Sequence, residues 1–103
     1  MFHRVRSVKA LPDMELVVWF QNGAVKRYDV KPLAARWKPF EALLNVEGMF
    51  EQVRVDKGGY GVSWNDELDL SCDELWDVSK DLTDEEREIA LETLISRAFP
   101  WSR

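Results

Sequence analysis

One cysteine, Cys72, and one histidine, His3, are all that the chain offers of the two commonest transition-metal ligands. A lone thiol forms no internal disulfide, and one thiol with one imidazole falls short of the four ligands of a closed zinc site. Long apolar runs are missing too. Nothing approaches the roughly 20 consecutive residues that cross a bilayer, so no membrane span is read. Met1-Phe2-His3-Arg4-Val5-Arg6 has no apolar stretch behind it, so no signal peptide is read and the expected compartment is the cytoplasm. Basic charge is scarce, with 14 Lys and Arg against 19 Asp and Glu. That balance disfavours nucleic acid as a partner.

What is present is a folding composition. The 103 residues are 46% hydrophobic and include five Trp and five Phe, enough to offset the ordering entropy of one compact domain and too few residues for two. The charge is unevenly placed. Residues 1–38 carry eight Lys or Arg against three Asp or Glu, a net +5, and residues 39–103 carry six against sixteen, a net −10. Such a split is satisfied within the fold, across a head-to-tail dimer, or by a charged partner.

Hydrophobic spacing predicts an α+β fold built from antiparallel strands. Residues 3–11 read as a first strand broken at Pro12-Asp13, and Met14, Leu16, Val18 and Phe20 alternate as a strand with one buried face. Parity selects the following turn. A three-residue loop with Gly23 at positive φ pairs Phe20 with Ala24, Leu16 with Tyr28 and Met14 with Val30, which gathers the large apolar residues on one side. The opposite side then carries Val17, Trp19, Val25 and Arg27, a partly apolar patch that needs a cover.

"KPLAARW" predicts a short helix with Pro32 in its first turn, and Phe40, Leu43, Leu44, Met49 and Phe50 are expected to pack across the sheet in short segments. Val53 and Val55, then Tyr60, Val62 and Trp64, predict a second β-hairpin across Lys57-Gly58-Gly59, with a further short strand at Leu68–Leu70. "SCDE" reads as a capping box, Ser71 capping a helix and Glu74 reaching back to its first amide. Thr83 and Glu86 form a second such box before Leu91, Leu94, Ile95, Ala98 and Phe99, so C-terminal helices close the chain. The expected organisation is a single domain over 1–103, a core over 3–78 with a helical extension over 79–103.

The runs "FQNGAVKRYDVKPL", "PFEALLN" and "MFEQVRVDKGGYGVSWNDELDLSCDELW" resemble the bacterial and archaeal family known as domain of unknown function 2442, over about residues 3–78. The resemblance implies a small α+β domain without assigned catalytic residues. It also implies a chain similar to proteins encoded beside another small protein in toxin–antitoxin-like pairs, hence a binding or regulatory role.

Candidate sites are few. His3 has no acidic neighbour in sequence to orient it as a catalytic base, and the two acids after Cys72 oppose a reactive thiolate. Asp56, Asp66, Glu67, Asp69 and Asp73 do not follow the spacing of a calcium loop, and Lys57-Gly58-Gly59 is too short to cradle phosphate. No catalytic residue, cofactor or metal is therefore expected. The expectation is a non-enzymatic protein-binding module, antitoxin-like, with Val17, Trp19, Val25 and Arg27 contacting another small, basic protein. The same patch is equally compatible with cover by the C-terminal helix or by the Trp37–Phe40 segment, and homodimerisation through an edge strand or the Leu91, Leu94, Ile95 and Phe99 face is a further option. Two alternatives stand beside it: a small-ligand or enzymatic pocket between the hairpins lined by Tyr60, Trp64 and Asp69, and a weak nucleic-acid surface of Arg4, Arg6, Lys9, Lys26 and Arg27 with Trp19.

Overall fold

The computed structural model describes residues 2–81, the side chain of Asp81 excepted, so the helix expected from Thr83 to Phe99 lies outside the described residues. Strands β1 (Val5–Leu11), β2 (Glu15–Phe20) and β3 (Val25–Asp29) form the expected antiparallel meander. Leu16 faces Tyr28, the Phe20 amide donates to the Ala24 carbonyl, and the Val30 amide donates to the Met14 carbonyl. Gly23, at φ 92°, supplies the left-handed residue that closes the three-residue turn. Between Val5 and Ser7 the β1–β2 register shifts by a bulge at Arg6. The bulge sets Val5, Val8 and Ala10 on the same face as Leu16, Val18 and Phe20.

Helix α1 (Lys31–Arg36) begins with Pro32 in its first turn, where no amide is required, and ends at Arg36 ahead of the Lys38-Pro39 step. After a 3-10 turn at Lys38–Glu41 comes α2 (Ala42–Asn45), and a second 3-10 turn at Phe50–Gln52 leads into the second sheet. That sheet is antiparallel in the order β4 (Arg54–Val55), β5 (Gly61–Ser63) and β6 (Asp69–Ser71). Helix α3 (Cys72–Val78) follows at once. One strand was not legible in the sequence: β7 (Lys80–Asp81) pairs with β3 and makes the first sheet four-stranded, where a helical extension had been expected from residue 79.

The main apolar core among the described residues lies between the two sheets, and a smaller cluster of Val17 and Trp19 sits on the other face of β2. Leu16, Val18, Phe20 and Tyr28 from the first sheet meet Val62, Trp64, Leu68 and Leu70 from the second, with Leu43, Phe50, Cys72 and Leu75 completing it. Leu44 departs from expectation. Leu43 fills the core position of α2, so its neighbour points away and is 57% exposed.

The capping box is half made. The Ser71 hydroxyl accepts the Glu74 amide at 3.1 Å, as expected, but the Glu74 carboxylate accepts the Tyr28 hydroxyl at 2.8 Å and does not return to the helix start. A buried phenol requires an acceptor, and this one fastens α3 to β3. Burial first, and the Glu74 carboxylate next, push the Tyr28 phenol far above its ordinary range. Replacing Ser71 with alanine is expected to cost about 1 kcal/mol in urea denaturation by releasing the capped amide, and threonine should restore most of it.

Candidate functional site

The residues singled out from the sequence fall in three surroundings. Val17 and Trp19, on the outer face of β2, are 1% and 5% exposed, with Leu11 and Val25 packed against them. Val25 and Arg27 remain half-buried, and the Arg27 guanidinium meets the Glu15 carboxylate at 3.3 Å. Trp19 is therefore part of the packed interior and lacks the accessible surface that an interface anchor needs.

The basic residues are likewise dispersed. Lys9 is buried, and Lys26 places its ammonium 4.0 Å from the centroid of the Trp76 ring and donates to the Trp76 carbonyl at 3.0 Å. Arg4 and Arg6 are exposed, but with Lys9 and Trp19 inside no continuous basic stripe with a stacking platform runs along the meander.

Tyr60, Trp64 and Asp69 do not converge on a pocket. Trp64 is 2% exposed and donates its indole N–H to the Phe50 carbonyl at 2.9 Å, while Tyr60 lies at the surface against Phe2 and Arg4. The Asp69 side chain is exposed on β6. In the turns, the Asn65 side chain accepts the amides of Glu67 and Leu68, and the Asp56 carboxylate accepts the Ser63 hydroxyl. Among the described residues no group of three or more His, Cys, Asp and Glu is placed to hold a metal ion. His3 stacks face to face on Trp76, with ring centroids 3.6 Å apart. Burial, aided by the Asp73 carboxylate, pushes the Cys72 thiol up, away from the reactive thiolate.

The surface that stands out was not singled out in the sequence. A groove of about 320 Å³ opens where the β1–β2 turn meets α2 and the loop after it. Leu11, Met14, Leu43 and Phe50 contribute to its lining, and Leu44 and Val46 stand at its edge 57% and 52% exposed. Asp13, Glu47 and Glu51 also line it, all three exposed, and no Lys or Arg does. Lys31, which reaches the turn that lines the groove, is engaged by the Asp13 carbonyl at 2.7 Å and the Asp29 carboxylate at 2.9 Å.

The turn that shapes one wall has an uncommon backbone. Asp13 and Met14 adopt φ of 67° and 62°, the left-handed region, in succession. Asp tolerates that region and Met does so at a cost of about 1 kcal/mol or more. Pro12 sets the entry, and the Val30 amide bound to the Met14 carbonyl together with Lys31 on the Asp13 carbonyl hold the pair in place. Chemically, the groove offers apolar contact area with fixed negative charge around it, the arrangement that accepts an apolar and cationic segment.

No helix among the described residues is long and apolar enough to cross a membrane. Comparison with curated proteins and with solved structures gives no match. A family model does match, described as "Protein of unknown function (DUF2442)", over residues 5–81, the span that runs from the first residue of β1 to the last of β7. With its two antiparallel sheets and short helices contained in that span, the chain belongs to the DUF2442 family.

Proposed function

We propose that the protein is a non-enzymatic binding module that docks another small protein through the groove between the β1–β2 turn and α2. The observation that carries this reading is the pair Leu44 and Val46, more than half exposed at the edge of an apolar groove whose charged lining is entirely acidic. A small domain with buried apolar side chains to spare gains nothing in stability from holding two more in water, whereas an interface does. The acidic lining selects a partner with basic residues around an apolar centre, which suits the accessory, antitoxin-like role implied by the family resemblance. The interior supports the same reading, since Trp64, Tyr28 and Cys72 are consumed by packing and hydrogen bonding.

The test is capture of partners by the tagged full chain from lysate of its source, beside Leu44→Asp and Val46→Asp. Each substitution is expected to weaken the recovered protein's affinity at least about tenfold, equivalent to about 1.4 kcal/mol. Neither should change the free energy of unfolding by more than about 0.5 kcal/mol, because both side chains already face water. Equal capture by wild type and both variants would remove the groove from consideration.

A further inference from the structure

The opposite end of the meander presents a second exposed patch, of aromatic rings around a cation. A depression of about 400 Å³ is lined by Phe2, His3, Arg4, Gln21 and Asn22, with no carboxylate among them. Phe2 and Tyr60 are 58% and 45% exposed, and their rings meet edge to face at 5.5 Å. The Arg4 guanidinium lies 4.7 Å from the centroid of the Tyr60 ring and donates to the Tyr60 hydroxyl at 2.7 Å. A hydroxyl does not neutralise it, and Arg4 makes no ion pair among the described residues. Exposed aromatics around an arginine are the composition of interface hot spots.

The two patches cannot meet within one chain. The depression sits where β1 begins and the β2–β3 turn closes; the acidic groove sits where β1 ends. The strand between them has 7 residues, which at about 3.3 Å each separates the patches by about 20 Å. We propose that copies of this chain associate head to tail, the Phe2, Arg4 and Tyr60 end of one seated in the Asp13, Glu47 and Glu51 groove of the next. This rests on the reading of the groove as a docking site. The two surfaces differ, so the contact is heterologous, and a row of any length keeps one open groove at one end and one open basic surface at the other. Self-association and partner binding then compete for the same groove.

Sedimentation velocity of the full chain over a range of concentrations, at low salt and at about 0.5 M salt, tests this directly. The wild-type mass is expected to rise with concentration past two copies and to fall back toward one at high salt. Arg4→Glu, which spoils the basic end, and Leu44→Asp, which spoils the groove, should each be monomeric alone with unchanged far-ultraviolet circular dichroism. Mixed in equal amounts they should give a dimer and nothing longer, since each retains the end the other has lost. A wild type monomeric at every concentration, a symmetric dimer indifferent to either substitution, or a mixture that fails to pair would overturn the proposal. If self-association is absent while partner capture still depends on Leu44, this inference falls and the groove reading stands. Insensitivity of both to Leu44→Asp removes both.

Discussion

Replacing Trp64 with alanine is expected to lower the free energy of unfolding by about 3–5 kcal/mol, read as a shift of the urea midpoint at unchanged slope. The indole lies immediately after β5 and is 2% exposed. Phe50 stacks on it with centroids 6.0 Å apart and interplanar angle 25°, and Phe40 meets it edge-on at 6.2 Å. Those contacts join the second sheet to the segment of 3-10 turns and the four-residue α2, which are too short to persist on their own. Removing the ring therefore opens a cavity and also releases the wall of the groove. Trp64→Phe separates the two contributions. It keeps most of the packing but takes the donor from the Phe50 carbonyl, now 2.9 Å from the indole nitrogen, and an unpaired buried carbonyl costs about 1–3 kcal/mol. A loss below about 1 kcal/mol for the alanine variant would contradict the assignment of Trp64 as the centre of the core.

Gly59→Ala is the second large effect expected, a loss of roughly 2–4 kcal/mol. Gly59 sits at φ +79°, and an added Cβ would lie 2.5 Å from the Val5 carbonyl oxygen. Backbone atoms do not swing aside as a flexible side chain does, so the β4–β5 turn would have to move off the start of β1. Gly23→Ala provides the comparison. Gly23 has φ +92° and nothing within 4 Å of the added carbon, so only the conformational cost of about 1 kcal/mol applies. Equal losses at the two positions would show that the close approach of Gly59 to β1 contributes nothing.

Much of this fold could be read before any coordinates, for identifiable reasons. Strict alternation from Met14 to Phe20 together with Asn22-Gly23 fixed the first hairpin to the residue, because a slip of one would have turned Tyr28 and Val30 away from Leu16. Ser71 as a helix cap was equally plain, since a hydroxyl three residues before an accessible amide has one favourable use. The two-residue β7 has no periodicity of its own and exists through its pairing with Lys26 and Arg27, a relation between distant parts of the chain. Alternation also assigned Trp19 to the face opposite Phe20 but carries no information on how deeply that face is covered. The groove was hidden for a related reason. Asp13 and Met14 come from one turn and Leu44, Val46 and Glu51 from another region, and helical spacing does not tell which of two adjacent leucines faces inward. Only the Pro12-Asp13 turn was visible, without its left-handed pair.

The stack of His3 on Trp76 has a consequence for where the chain could be lengthened. Trp76 touches His3 on one side and Lys26 on another, and the backbone of Asp81 pairs with Lys26, so the beginning of β1 and the end of β7 both lie beside the same side chains. The Asp66-Glu67 turn, by contrast, is exposed and lies between β5 and β6 in neither strand nor helix, a place where added residues are tolerated. A full-length chain with a short Gly-Ser insertion between Asp66 and Glu67 should fold to the same two sheets, with the groove untouched.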